Sequence, residues 1–256
     1  TYYRVTYSCT GGGCDATTSN VATVVVIPDP SISIDPTSAT ACVGGFVELT
    51  ATTQNGTGTC TIQWQSSNTG VGGWSNISGA NGATYNPPTA TSGSKFYRAT
   101  YSCTGSGCGN ATSNIALVVI IVDPSISINP PSNTVCVGGD LTMLATVNGG
   151  AGTCTVQWQS SPNGNSGWVD ISGANAISYN PPVSTPGTTY YRATYTCTGS
   201  GCDPATSNVA TVTVEPGPQV TVTPPDATVC VGANMVLTAT VSGGAGTCNI
   251  QWQESN

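Results

Sequence analysis

Twelve cysteines are the side chains of this 256-residue chain best equipped for chemistry, and their positions form a lattice. Cys9, Cys103 and Cys197 stand 94 residues apart, as do Cys14, Cys108 and Cys202. The same step relates Cys42, Cys136 and Cys230, and again Cys60, Cys154 and Cys248. Thiols in this number can ligate a metal, serve as nucleophiles or form disulfides. A zinc site needs two close ligand pairs or histidine support; here Cys-x4-Cys has no second close pair and the chain has no His. Without His, no Ser- or Cys-based triad can be assembled. The acids Glu48, Asp140 and Asp170 do not recur from copy to copy, so paired carboxylates for glycoside hydrolysis are not indicated. Lys95 is the only lysine, which leaves little scope for isopeptide crosslinks. No catalytic residues, cofactor or metal are expected, and the chain reads as a non-enzyme. Four cysteines per repeat suit a disulfide framework made outside the reducing cytosol.

What must position these cysteines is a tandem array. Trp64, Trp158 and Trp252 keep the 94-residue step, as do Trp74 and Trp168, and no insertion breaks it. A period of this length marks one domain type repeated along the chain. The expected division is 1–27 as the closing part of one repeat, 28–121 and 122–215 as complete repeats, and 216–256 as the opening part of another. Half a sandwich leaves core and strand edges open, so the chain reads as a stretch of a longer protein. Charged residues make up 6% of it and the net charge is −7, with four basic residues. That balance excludes a nucleic-acid partner. The apolar run ALVVIIV at 116–122 is far shorter than the roughly 20 residues of a membrane-spanning helix.

Within a repeat the periodicity is two, and turn residues punctuate it. VELTATT at 47–53 puts Val47, Leu49 and Ala51 on one face; the later copies put Leu141, Met143 and Ala145, then Met235, Leu237 and Ala239 there. CTIQWQ at 60–65 directs Cys60, Ile62 and Trp64 inward, and FYRATYSC at 96–103 directs Tyr97, Ala99, Tyr101 and Cys103. Such alternation marks strands with one buried and one wet side. Short strands between Gly, Asn and Pro clusters indicate an all-β sandwich. A 94-residue unit with a Trp in the third strand and Tyr-x-x-x-Tyr near the end matches an immunoglobulin-like domain. Leu49 and Ala99 fill the usual inter-sheet disulfide positions. The expected fold class is therefore all-β, with tandem immunoglobulin-like β-sandwiches in a linear array. Pro-bearing junctions such as IPDPSISIDP behave as semi-rigid spacers, which predicts end-to-end stacking.

Four cysteines permit three connectivities. If Trp64 faces Ala99 in an antiparallel pair, Cys60 and Cys103 fall directly opposite each other. The expected bonds are then Cys60–Cys103 and Cys154–Cys197, which leaves Cys42–Cys108 and Cys136–Cys202, through a segment running beside the last strand. The rival is a hairpin bond from Cys103 to Cys108 across Thr104-Gly105-Ser106-Gly107. Loop entropy favours long-range bonds by about 2 kcal/mol over the hairpin but does not decide the pairing.

The segments CVGG, LTAT, QWQSS, ISGA, TYNPP, YYRATY and ATSNVATVTV resemble the immunoglobulin-like repeats of large surface adhesins and secreted proteins of Bacteroidota, many exported by the type IX system. The resemblance spans the whole chain. It implies an extracellular or cell-surface location and service as stalk or adhesive array. Relatives of that kind often carry only the counterparts of Cys42 and Cys108, which implies that these two are partners.

Trp74 and Trp168 offer either a stacking platform for surface glycans or a large ring covering the edge of the core. Arg4, Arg98 and Arg192 keep the 94-residue step and read as surface cations with packed stems, as carboxylate partners or as caps on an aromatic ring. The last strand is apolar on both faces in VVVI (24–27) and VVIIV (118–122), putting Val25, Ile27, Val119 and Ile121 on the side expected to be wet. A strand with two apolar faces is normally covered twice. This side is expected to be an assembly face toward another domain or copies of the same chain, or to be buried at the domain junction. The function that fits best is structural or adhesive: disulfide-stabilised repeats forming a stalk or filament at the cell surface. The alternatives are a carbohydrate- or ligand-binding module array and a spacer in a large secreted enzyme.

Overall fold

The computed structural model describes residues 1–105 and 108–255 and contains strands, turns and loops, with no helix among the described residues. Four two-residue strands open the chain: β1 (Tyr2–Tyr3), β2 (Thr6–Tyr7), β3 (Thr17–Thr18) and β4 (Ala22–Thr23). The first complete repeat supplies β5 (Ser31–Asp35), β6 (Ser38–Cys42), β7 (Leu49–Gln54), β8 (Cys60–Ser67), β9 (Ser75–Asn76), β10 (Thr84–Tyr85), β11 (Gly93–Cys103), β12 (Ala111–Thr112) and β13 (Ala116–Ile121). The second supplies β14 (Ser125–Asn129), β15 (Ser132–Cys136), β16 (Met143–Asn148), β17 (Cys154–Ser161), β18 (Val169–Asp170), β19 (Ser178–Tyr179), β20 (Gly187–Cys197), β21 (Ala205–Thr206) and β22 (Ala210–Glu215). β23 (Gln219–Thr223) and β24 (Thr238–Ser242) pair near the end.

Each complete repeat builds two facing sheets. In the first they run β10-β7-β5 and β6-β13-β11-β8-β9; in the second, β14-β16-β19 and β15-β22-β20-β17-β18. The two-sheet arrangement follows from the period-two pattern: β13 buries Ala116, Val118 and Ile120, and β22 buries Ala210, Val212 and Val214. The last strand is therefore not the sheet edge. β13 lies between β6 and β11, and β22 between β15 and β20, so the segment expected beside the last strand is β6 in the first repeat and β15 in the second.

The chain divides into two compact units, one of residues 1–39, 48–87 and 94–118, the other of 40–47, 88–93 and 119–256. In the first, Leu49, Trp64 and Ala99 are fully buried. Trp64 packs against Tyr85 and Tyr85 against Tyr97 with tilted rings, each pair at 5.6 Å between centroids. Burial pushes the Tyr97 phenol up to about 12, with the Tyr85 phenolate as a further cause. In the second unit, Met143, Trp158, Tyr191, Ala193, Ala210 and Val212 form the centre of the core. Trp158, Tyr179 and Tyr191 repeat the aromatic chain at 5.5 and 5.7 Å. Both indole N–H groups donate to backbone carbonyls, Trp64 to Gly82 at 3.0 Å and Trp158 to Ala176 at 2.8 Å.

A polar clasp joins the sheets in each repeat. Asn114 accepts from the Ile34 N–H at 2.8 Å and donates to its carbonyl at 2.9 Å; Asn208 does the same for Ile128 at 2.8 and 3.1 Å. Buried backbone groups between sheets need such partners, which explains a Ser-Asn pair ahead of the last strand in each copy. By contrast, residues 1–27 and 216–256 keep much of their apolar surface exposed, including Val26 at 88% and Leu237 at 50%.

Candidate functional site

Three disulfides are present among the described residues. Cys60 joins Cys103 and Cys154 joins Cys197, each 43 residues apart in sequence. The cause is register: β8 and β11 pair antiparallel with Trp64 opposite Ala99 and Cys60 opposite Cys103, and β17 with β20 puts Cys154 opposite Cys197. The hairpin rival from Cys103 does not form; Ser106 and Gly107 in that hairpin lie outside the described residues.

The third bond differs from the expected Cys42–Cys108. Cys42 is bonded to Cys202, 160 residues away, with Cα atoms 5.0 Å apart. Cys108 and Cys136 remain thiols, so Cys136–Cys202 is corrected as well. The reason is strand direction. β15 runs parallel to β22, with Ser132 opposite Thr211 and Cys136 opposite Glu215. Cys136 thus sits at the far end of β22, whereas Cys202 precedes its start at Ala210. Six residues of strand put about 17–20 Å between those ends, and a disulfide tolerates less than about 7 Å between Cα atoms. The first repeat is built alike: the Val43 N–H donates to the Ile121 carbonyl at the end of β13. Cys108, before that strand begins, has its Sγ 3.3 Å from Thr57 Oγ1 instead.

Around Cys42 the contact is backbone on backbone. Ala41 makes a parallel bridge to Ser200, and the Cys42 N–H donates to the Ser200 carbonyl at 2.8 Å. The Phe46 N–H donates to Ser200 Oγ at 2.7 Å. A Cβ at Gly45 would strike the Ser200 carbonyl oxygen, and one at Gly201 would strike the backbone of Gly45. Gly201 also holds φ at +74°, in the left-handed region. These contacts explain why residues 40–47 belong to the second unit. Sequence reasoning misses Ser200, Gly45 and Gly201; the glycine pairs in CVGG and TGSGC are the available signal.

Trp74 and Trp168 are half-buried, and each carries an arginine on its face. The guanidinium carbons of Arg98 and Arg192 stand 4.3 Å from the two ring centroids. Arg98 Nε donates to Gln65 Oε1 at 2.7 Å, and Gln65 Nε2 donates to Asn76 Oδ1 at 2.8 Å. The second repeat reproduces the row with Arg192, Gln159 and Asp170. The arginines of β11 and β20 therefore each cap an aromatic ring, a cation–π contact of about 0.5–1 kcal/mol at an exposed site. One ring face is occupied in each case. Of the residues expected on an assembly face, Val119 and Ile121 are half-buried on β13. Val25 and Ile27 lie outside any strand, at 77% and 38% exposure, because the expected strand stops at Thr23.

A shallow groove recurs in both repeats beside the strand-to-strand disulfide. In the first it is lined by Cys60, Gln63, Asn81 and Tyr101, in the second by Cys154, Gln157, Asn175 and Tyr195, with volumes near 560 and 490 Å³. Neither groove gathers a titratable set, and no cluster of three metal-ligating side chains exists among the described residues. No helix of the described residues is long and apolar enough to cross a membrane.

The geometry defines a class: tandem immunoglobulin-like β-sandwiches carrying disulfides. Residues 33–123 and 126–216 each match the family described as a domain of unknown function, DUF8696. The chain belongs to that family. No curated protein sequence matches it. Among solved structures it is similar to one reported as the structural basis for Dscam isoform specificity, at 15% identity and TM-score 0.39, covering 78% of this chain and 51% of that one. It is also similar to the N-terminal four Ig domains of Dscam1 isoform 8.4, at 16% identity and TM-score 0.39, covering 79% and 52%. A third similarity is to fibronectin(III)-like modules of CbhA from Clostridium thermocellum, at 16% identity and TM-score 0.32, covering 72% and 92%. The chain spans about half the length of the Dscam structures it matches.

Proposed function

We propose that this chain is a stretch of an extracellular structural or adhesive protein, its modules at 28–121 and 122–215 repeating as a stalk or filament at a cell surface. The observation that carries the reading is the same oxidised sandwich built twice, with its core, clasp and strand-to-strand disulfide at matching positions. A repeated module supplies length and, where each copy binds weakly, avidity. Disulfides hold it folded against load and proteolysis. The Bacteroidota-type adhesin repeats that the sequence resembles have this use, and residues 1–27 and 216–256 read as parts of neighbouring copies. The partners in this reading are neighbouring domains, other copies of the chain, and glycans of the surface it meets.

Negative-stain imaging of the oxidised chain tests the proposal. Extended particles whose length rises by about 30–40 Å per module, the span of a ten-residue strand, are expected. Particles with modules folded back on each other would contradict it. Val119→Thr with Ile121→Thr provides a second arm: loss of lateral association in the images assigns Val119 and Ile121, with Val25 and Ile27 in the preceding copy, to an assembly face. Unchanged association leaves them as junction packing.

A further inference from the structure

We infer that the strand-end cysteine of one repeat is the disulfide partner of the loop cysteine in the repeat that follows, and that Cys136 and Cys108 are staple points for further copies of the same module. The pairing Cys42–Cys202 is one instance of this rule. Cys136 is the counterpart of Cys42, one period on, and Cys108 is the counterpart of Cys202, one period back. Bonding inside a repeat is closed to both, because the parallel strands send the two cysteines to opposite ends of the sheet.

The surface around Cys136 repeats the residues of the dock around Cys42 and is more exposed. In the first repeat the loop at Ser200–Cys202 covers it: Ala41 and Cys42 are fully buried. In the second, Cys136 is half-buried and Val137 is 41% exposed. Gly139 stands where Gly45 stands, and nothing beyond its own strand turn lies within 3.4 Å of the space a Cβ would fill. Gly45 meets the loop so closely that only a residue without a side chain fits. The occupant is thus another copy of this repeat, presenting its Gly-x-Gly-Cys loop. The third copy departs from the pattern with Ala233 at this position, so the dock as built belongs to Cys42 and Cys136.

Formation of the staple joins two thiols through one S–S bond, releases two protons and passes two electrons to an external disulfide such as oxidised glutathione, which becomes two thiols. The inference stands on pairing geometry and holds whether the array is a stalk or a ligand scaffold.

The test uses the full chain prepared in natural-abundance and 15N forms. The two are reduced, mixed, reoxidised in a glutathione buffer, alkylated and digested without reduction. The expected products are a single-isotope Cys42–Cys202 peptide and a mixed-isotope peptide joining Cys136 to Cys108 or to Cys14, its earlier counterpart. Gly139→Ala lowers the mixed peptide at least tenfold and leaves Cys154–Cys197 intact as the folding control. Recovery of Cys42–Cys108 or Cys136–Cys202 from one chain overturns the inference. So does Cys136 found as an alkylated thiol, or joined without preference to Cys230 and to other copies of Cys136.

Discussion

Trp158→Ala lowers the stability of the second sandwich by about 3–5 kcal/mol, the range for deleting a large buried aromatic ring. Trp158 has no exposed surface, packs against Tyr179 and satisfies the Ala176 carbonyl. Truncation opens a cavity between the sheets and leaves that carbonyl unpaired. Trp168 survives as a fluorescent reporter for urea unfolding. Trp168→Ala is the matched control and costs about 1 kcal/mol or less, since that ring is half-buried and held by a cation–π contact. Equal losses in the two variants would show that the core does not centre on Trp158.

Removal of the strand-to-strand bond is the second large effect. The double variant Cys154→Ala, Cys197→Ala loses about 4 kcal/mol, because the bond closes a loop of 43 residues and constrains the unfolded chain. The folded pairing of β17 with β20 does not depend on it: Thr155 to Ser161 remain in register with Thr196 to Tyr190. Strand content by circular dichroism therefore stays the same while the urea midpoint falls. A midpoint within error of the parent would mean that the bond adds nothing to a ladder already fixed by hydrogen bonds.

The sandwich core and the strand-to-strand bonds are legible in the order of amino acids alone. The alternation of Leu49, Ala51 and Tyr97, Ala99 depends only on the strand period, which a sequence displays directly. Opposing Trp64 to Ala99 then places Cys60 against Cys103, a relation of register. The partner of Cys42 is illegible by the same logic, which confines each repeat to its own cysteines. Spacing reports that Cys42 and Cys108 recur together; it carries no information on whether β6 runs parallel to β13 or where its end emerges. Nor does it show backbone approaching backbone at Gly45, since a missing side chain leaves no pattern to read. The double-sided apolar run at 118–122 stands out in the sequence as unusual. Its position between β6 and β11 follows from a pairing 75 or more residues distant in sequence, beyond the reach of any local signal.

Oxidation, on this reading, turns these sandwiches into one covalently locked, load-bearing array. Pulling the chain from its two ends in a force spectrometer, oxidised and then reduced, tests this most directly. With Cys42 bonded to Cys202 the force passes through sulfur and bypasses 160 residues. Reduction is predicted to add roughly 55 nm of contour length, at 3.3–3.6 Å per residue. A gain near roughly 30 nm would mean that only the two 43-residue loops had been locked. That result, or identical traces before and after reduction, would contradict the account.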